Sequence, residues 1–293
     1  MLSNVLPAAL PPQIPAGWRT GPPDFVGVGA MKAGTTWWWA VLARHPAIAT
    51  PREPPAGQSE ETLAELHQRQ YGNRRPPAGE PITALHRRLY GTKEVHFFDH
   101  YGQVEQIDPA AYHRYFPRPP GHLAGEWTPR YMYDFWTPPM LRAAAPDTKL
   151  LVLLRDPLER LLSALGHNHA WAPSAPPAAV IDHQFHRSLY WRQLQWLLAH
   201  FPREQLLVLQ YEQCVADPVA QARRTFTFLG LDPRAAPSAG ELTKRVGRSY
   251  TRPDLSPATT DAFMRALAPD LARLLEEFPD LDANLWPSLR TLA

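Results

Sequence analysis

Hydrophobic residues occur along the chain in short unbroken runs, and each run is followed by a segment in which they recur at helical spacing. The runs and the helical segments after them span 25–28 and 35–44, 149–154 and 158–168, and 206–209 and 218–229. Fully hydrophobic strands that are each followed by a helix are typical of a parallel sheet buried on both faces. The pattern therefore predicts a doubly wound α/β domain with a central parallel sheet flanked by helices. Its ligand site is expected at the carboxyl ends of the strands.

Prolines break the remainder of the chain into loops and short segments; there are 34 of them. We predict a loose proline-rich arm over 1–22 and one domain over 23–293, with further helices over 185–200 and 257–278. Residues 52–90 are predicted to form an inserted loop with helical segments. Long insertions in compact domains are often functional, and the sequence leaves open whether this one covers a substrate site as a lid or decorates the surface.

Charge and cysteine content exclude several classes of protein. With 30 Lys and Arg against 28 Asp and Glu, the net charge is +2, so the chain lacks the basic field of a dedicated nucleic-acid binder. No apolar run approaches the roughly 20 residues of a membrane helix. We therefore expect neither a nucleic-acid nor a membrane partner. The single cysteine, Cys214, cannot form an internal disulfide, which indicates a cytoplasmic protein with a buried, inert thiol. The sequence does not indicate an oligomeric state.

Residues 27–36, with the sequence Gly-Val-Gly-Ala-Met-Lys-Ala-Gly-Thr-Thr, lie between the first predicted strand and its helix. The N–H groups at the start of a helix lack intrahelical partners, and the helix dipole favours an anion there. Lys32 adds a positive charge, and Gly34 allows the backbone to approach a phosphate closely. The side chain of Trp37 has two interpretations, stacking on an adenine ring or packing in the core. The predicted nucleotide-binding residues of this loop are Lys32, Ala33, Gly34, Thr35, Thr36 and Trp37.

The loop differs from the Walker A loop of ATP-hydrolysing enzymes. In that loop the lysine follows the last glycine, whereas Lys32 precedes Gly34. We also find no apolar strand ending in a carboxylate pair that would hold Mg²⁺. The loop is therefore similar to a P-loop without being the loop of an ATP-hydrolysing enzyme. We expect a P-loop NTPase-like fold and no metal.

A second motif, Arg-Asp-Pro-Leu-Glu-Arg-Leu-Leu-Ser, follows the second hydrophobic run at 155–163. Asp156 is placed to cap the helix and Pro157 to begin it, so that Arg155 leaves the end of the strand. Ser163 then lies about two turns into the helix. Arg155 and Ser163 are therefore expected to address one anion at the edge of the sheet.

The two motifs together resemble those of the sulfotransferase family that uses 3′-phosphoadenosine 5′-phosphosulfate (PAPS). Segment 31–37 resembles its 5′-phosphosulfate loop, and 155–163 matches every fixed position of its 3′-phosphate signature, Arg-Asp-Pro-x-x-Arg-x-x-Ser. The resemblance covers about 24–275 apart from the insertion. It implies that PAPS is the cosubstrate and adenosine 3′,5′-bisphosphate the product. It also implies that the 3′-phosphate is bound by Arg155, Ser163, Arg245, Gly247 and Arg248.

Segment 93–99, Lys-Glu-Val-His-Phe-Phe-Asp, resembles a segment of the sulfotransferases that act on heparan sulfate and of related bacterial enzymes. The resemblance implies that Glu94 is the general base, while Lys32 stabilises the oxygen left on the nucleotide. The alternative is that Glu94 pairs with Lys93 or a neighbouring arginine and that His96 makes a hydrogen bond in the core.

Segment 125–131 resembles the Glu-Lys-Thr-Pro-x-Tyr stretch of the same branch, with Trp127 in place of the lysine. The acceptor is then a small molecule or saccharide bearing a hydroxyl group, and its expected contacts are Glu94, His96, Glu126 and Trp127. Two other functions remain open, a nucleotide-dependent kinase and a non-catalytic nucleotide-binding scaffold.

Overall fold

The computed structural model describes residues 11–50, 93–99, 107–171, 177–242, 251 and 253–292. The strands are β1 (Phe25–Gly29), β2 (Gly125–Trp127), β3 (Lys149–Leu154) and β4 (Leu206–Gln210). The helices are α1 (Thr35–Leu42), α2 (Pro109–His113), α3 (Thr137–Ala144), α4 (Pro157–Trp171), α5 (Pro177–His186), α6 (Tyr190–Leu198), α7 (Tyr211–Ala216), α8 (Pro218–Leu229), α9 (Ala239–Leu242) and α10 (Pro257–Glu277). Short 3₁₀ helices span Arg203–Gln205, Pro233–Ala235, Ala283–Leu285 and Pro287–Leu292.

The four strands form a parallel sheet in the order β2-β1-β3-β4, flanked by helices. All residues of β1, β2 and β4 are buried, and in β3 only Lys149 is partly exposed. The prediction of a buried parallel α/β sheet is therefore confirmed. The sequence did not predict β2, because a run of three residues with a glutamate at its centre carries no strand pattern.

Local signals position α4 as the sequence predicts. The Asp156 carboxylate accepts hydrogen bonds from the N–H groups of Leu158 (2.9 Å) and Glu159 (3.1 Å), and Pro157 is the first helical residue. The predicted capping is thus confirmed. Because the cap fixes where the helix begins, it also fixes where Arg155 leaves the strand.

The predicted single helix over 185–200 is wrong, because α5 ends at His186 and α6 begins at Tyr190. The Ser188 hydroxyl donates to the Gln184 carbonyl at 3.1 Å, which is the acceptor that the Ser188 N–H would use in a continuous helix. A serine hydroxyl that competes for a backbone acceptor in this way favours a turn. The fully buried Arg160 holds the turn, since its guanidinium donates to Ser188 Oγ and to the Gln184 carbonyl.

The described residues group into two compact units, one within Met1–Val28 and Ala43–Leu150 and the other within Gly29–Leu42 and Leu151–Ala293. In the first unit, the end of the predicted arm is hydrogen bonded, because the backbones of Arg19 and Arg118 exchange two bonds of 3.0 and 2.9 Å. In the second, Cys214 is buried as predicted, and burial raises the pKa of its thiol well above the ordinary value. No helix in the described part of the chain is long and apolar enough to span a membrane.

The insertion at 52–90 lies outside the described residues. So do the arm residues 1–10. The domain boundaries and the role of the insertion stay predictions.

Candidate functional site

The loop after β1 turns sharply before α1 begins at Thr35. The Ala30 N–H donates to the Leu153 carbonyl at 2.9 Å, which ties the start of the loop to β3. Two loop residues have left-handed backbones, Lys32 at φ 68° and Gly34 at φ 94°. The Gly34 carbonyl then accepts from the N–H groups of Trp37 and Trp38. The arrangement exposes a helix N-terminus at the carboxyl end of a buried strand, as expected for an anion site.

Gly34 is required here for a second reason besides its positive φ. A methyl group at this position would lie 2.7 Å from two ring atoms of Tyr211, the first residue of α7. No real side chain tolerates such a distance, so only glycine fits. The ring of Tyr211 therefore packs directly on the loop between β1 and α1.

The same ring joins the loop to the second motif. The Arg155 guanidinium lies over the ring of Tyr211, 5.0 Å from its centroid, and Arg155 Nη1 lies 3.4 Å from the Lys32 carbonyl oxygen. Residues at the ends of β1, β3 and β4 thus meet at one point, as predicted for Lys32, Gly34 and Arg155. The sequence did not indicate Tyr211 as a residue of the site. The usable signal was its place directly after the third hydrophobic strand.

The terminal nitrogens of the Arg155 guanidinium have hydrogen-bond acceptors among the described residues, whereas its Nε does not. Its Nη2 donates to Glu159 Oε2 at 2.9 Å, whereas its buried Nε has no hydrogen-bond partner within the described part of the chain. A buried N–H without an acceptor is costly. This orphaned donor beside a cationic loop fits the phosphate group that the motif predicts.

The other predicted nucleotide contacts differ in exposure. Thr35 is buried, Thr36 is exposed and Ser163 is half-buried in the second turn of α4. Trp37 is only 6% exposed and packs edge-on against Trp38 and Tyr211, with ring centroids 5.3 and 5.9 Å away. The Trp37 indole N–H donates to the Leu242 carbonyl at 2.8 Å. These contacts favour the packing interpretation of Trp37 over stacking on adenine. The predicted residues Arg245, Gly247 and Arg248 lie outside the described residues.

Segment 93–99 belongs to the other unit and is fixed by segment 126–131. Four successive N–H groups of the first segment are bonded to the second. The bonds are Glu94 N–H to the Trp127 carbonyl (3.0 Å), Val95 N–H to Glu126 Oε2 (3.3 Å), His96 N–H to Thr128 Oγ1 (3.3 Å) and Phe97 N–H to the Tyr131 hydroxyl (2.9 Å). These four bonds stabilise the positive φ angles of Glu94 (62°) and His96 (57°). Such backbone conformations are strained for residues other than glycine.

The charged side chains of these segments form a chain of alternating sign. Lys93 pairs with Glu94, His96 Nε2 lies 3.8 Å from Glu94 Oε2, and His96 Nδ1 is bonded to Asp99 Oδ2 at 2.9 Å. Arg130 continues the chain, because its Nε lies 3.9 Å from Asp99 and also pairs with Asp134. The contacts that the non-catalytic alternative predicts for Glu94 and His96 are therefore both present.

The partners of Glu94 keep its carboxylate ionised. Partial desolvation by the surrounding protein raises the pKa of Glu94, but the charges of Lys93 and His96 outweigh it and hold this pKa well below the ordinary value. Burial lowers the pKa of His96, but its bonds to Asp99 and Glu94 prevail and raise it to about 9. The Glu94 side chain is 45% exposed. The cluster therefore offers solvent an ionised carboxylate held by two cations.

Glu126 and Trp127 lie in the interior, with 0% exposure each. Glu126 accepts hydrogen bonds from the hydroxyl groups of Tyr112 (2.7 Å) and Thr128 (2.5 Å), and burial raises its pKa to about 7. The Trp127 ring covers Gly27, its partner across β1 and β2, where an added methyl group would lie 2.0 Å from the ring. Direct contact of either side chain with an acceptor stays a prediction. Within the described ranges, no group of three or more His, Cys, Asp or Glu is arranged to hold a metal ion.

A loop between a buried parallel strand and a helix, with an arginine from the neighbouring strand β3 beside it, is typical of α/β proteins that bind a ligand at the carboxyl ends of their strands. Comparison with known proteins identifies the family. The model of the sulfotransferase family matches residues 23–235, and the chain belongs to this family.

Solved sulfotransferases share the fold. One from Alicyclobacillus acidocaldarius superposes with a TM-score of 0.60 at 24% identity, over 90% of this chain and 98% of that one. The enzyme STF9 from Mycobacterium avium gives 0.52 at 16% identity, over 89% and 77% of the two chains.

Curated relatives are similar over a shorter stretch. Heparan sulfate glucosamine 3-O-sulfotransferase 3B1 of Mus musculus is 34% identical over 152 residues, which cover 47% of this chain and 38% of the relative. The membrane-associated sulfotransferase kil1 of Dictyostelium discoideum is 27% identical over 169 residues, 56% of this chain and 27% of the relative. The matched part thus spans well under half the length of these relatives.

Proposed function

We propose that the chain is an enzyme that transfers a sulfuryl group from PAPS to an acceptor hydroxyl. The observation that carries the proposal is the meeting of Gly34 and Arg155 at the ring of Tyr211, with the Lys32 carbonyl 3.4 Å from Arg155 Nη1 and the Arg155 Nε unsatisfied by any residue that the structure describes. Two cationic side chains and a helix N-terminus suit a ligand with two separate phosphate groups. Family membership makes PAPS the donor of choice among such ligands.

The residues that bind the nucleotide have distinct roles. Lys32 and the N–H groups at the start of α1 bind the 5′-phosphosulfate and stabilise the negative charge that develops on its bridging oxygen. Arg155 and Ser163 bind the 3′-phosphate, and Arg245, Gly247 and Arg248 bind the same group. Bound in this way, the nucleotide supplies a sulfuryl group attached to a good leaving group, and the residues around it orient that group for in-line attack.

Glu94 acts as the general base. A bond forms between the acceptor oxygen and sulfur, the bond from sulfur to the phosphate oxygen breaks, and the acceptor proton goes to the Glu94 carboxylate. A carboxylate of low pKa is a weak base towards a free alcohol. The acceptor O–H becomes more acidic as its oxygen bonds to sulfur, so Glu94 accepts the proton late in the reaction. His96 and Lys93 keep Glu94 ionised until then.

We propose a neutral alcohol, sugar or phenol as the acceptor. The 3B1 relative is named for its action on heparan sulfate glucosamine, but the position of the lysine in the segment of that branch is occupied here by Trp127, whose side chain is buried. The chain therefore has no cation at this position to bind a sulfated polysaccharide. We propose a cytoplasmic location on the basis of the single cysteine.

Exchange of Glu94 for glutamine tests the proposal. An acceptor screen with radiolabelled PAPS first identifies a substrate, and Glu94→Gln should then slow transfer by about 10²–10⁴-fold. The affinity for adenosine 3′,5′-bisphosphate, measured by calorimetry, should stay within about twofold, because Glu94 does not bind the nucleotide. The exposed Glu276→Gln is the control for loss of one negative charge.

Three results would contradict this account. Transfer by Glu94→Gln at the unchanged rate would exclude Glu94 as the base. Nucleotide binding without sulfation of any acceptor would indicate a scaffold. Mg²⁺-dependent ATP turnover that adenosine 3′,5′-bisphosphate does not inhibit would indicate a kinase.

A further inference from the structure

The segment 282–288, which we call the C-terminal strap, bonds to the side chain of Asp156, the residue after Arg155, from a distant part of the chain. It lies beyond residues 23–235, which the family model matches. Its Ser288 N–H donates to Asp156 Oδ2 at 2.9 Å, while Oδ1 of the same carboxylate caps α4. Asp156 is 1% exposed. One buried carboxylate thus bonds both to the helix that follows Arg155 and to the strap.

A second link between the strap and the Arg155 motif runs through Glu212, in the first turn of α7. Its Oε1 accepts from the Asp156 N–H at 3.0 Å, and its Oε2 accepts from the Trp286 indole N–H at 2.8 Å. The Trp286 side chain is fully buried. Glu212 therefore holds the peptide between Arg155 and Asp156 with one oxygen and the strap with the other.

The strap itself is anchored at its other end. The side chain of Gln210, the last residue of β4, donates to the Asp282 carbonyl and accepts from the Asp282 N–H, both at 2.9 Å. The Arg155 carbonyl is held separately by the Tyr190 hydroxyl at 2.9 Å. The strap is thus tied to the end of β4, and it bonds to Asp156, the residue that follows Arg155 after β3.

We propose that Glu212 and Trp286 are positioning residues for Arg155, through which the C-terminal strap fixes the arginine that binds the 3′-phosphate. This inference rests on the proposed function, because it assigns that phosphate to Arg155. Without the indole N–H, Oε2 of the half-buried Glu212 loses its partner, and an unsatisfied carboxylate oxygen that is shielded from water is costly. The carboxylate then turns away from the Asp156 N–H to find another donor, and the peptide between Arg155 and Asp156 keeps the bond of its carbonyl to Tyr190 but loses the bond of its N–H. Affinity for the 3′-phosphate falls, whereas binding of the 5′-phosphate at the Lys32 loop does not.

The test compares two nucleotides that differ only in the 3′-phosphate. Calorimetry gives the affinities of the full chain for adenosine 3′,5′-bisphosphate and for adenosine 5′-monophosphate. The affinity for the bisphosphate divided by the affinity for the monophosphate reports on the 3′-phosphate site alone. Trp286→Phe keeps an aromatic ring but removes the N–H, and it should lower this ratio by about fivefold. The control Leu229→Ala weakens the core near the end of α8 and should leave the ratio within about twofold, since a general loss of stability affects both ligands equally.

A second variant covers the case in which Trp286→Phe does not fold. Glu212→Gln keeps the shape of the side chain, but its amide can accept from only one of the two N–H donors, so the ratio should again fall. If both variants fold, their double mutant should lose no more than the larger single effect, because both changes break the same link.

The results separate the strap from the nucleotide site. A wild-type protein that prefers the bisphosphate, with an unchanged ratio in both variants, overturns the role of the strap and leaves the proposed function intact. A wild-type protein that binds both nucleotides equally overturns the 3′-phosphate site and the strap together.

Discussion

The buried carboxyl group of Glu126 should make the stability of the protein depend on pH. Burial raises its folded-state pKa from 4.5 to about 7, so the folded protein favours the protonated form more than the unfolded chain does. The corresponding stabilisation is fully present below pH 4.5 and is lost as the pH rises to about 7. Glu126→Gln removes this titration, and its amide can still accept from Val95 N–H and Thr128 while donating to Tyr112.

The magnitude follows from the two pKa values. Each pH unit between them corresponds to about 1.4 kcal/mol, so wild type should lose about 2.5 kcal/mol relative to Glu126→Gln between pH 5 and pH 8. His96 and Glu94 are present in both proteins, and the difference isolates Glu126. Urea unfolding at the two pH values measures it, and Glu276→Gln is the control for the loss of a charge at the surface. A Glu126→Gln variant whose stability relative to wild type is the same at both pH values would refute the argument from burial.

Three further predictions concern close contacts. Gly27→Ala should destabilise the fold by about 3 kcal/mol or more, because the added methyl group meets the Trp127 ring. Gly240→Ala is the control and should be neutral or slightly stabilising, because a methyl group added there meets no other described part of the chain within 4 Å. Equal melting temperatures of the two variants would contradict the β1–β2 register. Trp127→Lys should cost about 4 kcal/mol or more in urea unfolding, since the charge is buried without a partner, and a variant of wild-type stability would show that this position is open to solvent. Gly34→Ala should fold but bind adenosine 3′,5′-bisphosphate at least about tenfold more weakly in calorimetry, because Tyr211 obstructs the methyl group; unchanged affinity would exclude this packing.

The sequence predicted best the features that depend on neighbouring residues. The buried strands, the cap at Asp156 and the first turn of α4 follow from runs of a few residues, and the structure confirms them. The break before α6 was missed because it depends on Arg160, a buried side chain from another helix that binds Ser188. Local spacing carries no information about that contact.

The polar residues of the site show the same limit. The resemblance names Glu126 as a contact of the acceptor, and that contact stays a prediction. Its burial in β2 and its bond to the Val95 N–H could not be predicted, because they depend on a strand that the sequence pattern does not show. The contact of Gly34 with Tyr211 joins residues that are far apart in the sequence, and only the parallel order of the strands brings them together. Lys32 and Arg155 could be selected from their places at strand-to-helix junctions and from the resemblance to a family, whereas only the structure shows that Tyr211 contacts both Gly34 and Arg155.

Titration of adenosine 3′,5′-bisphosphate into the purified protein tests the central claim most directly. We predict saturable binding by wild type, and affinities that are lower by at least about tenfold in Lys32→Ala and in Arg155→Ala, because each variant removes a charge-assisted contact to a phosphate group. Absence of binding to wild type, or equal affinity in all three proteins, would contradict the assignment of these two loops to one nucleotide.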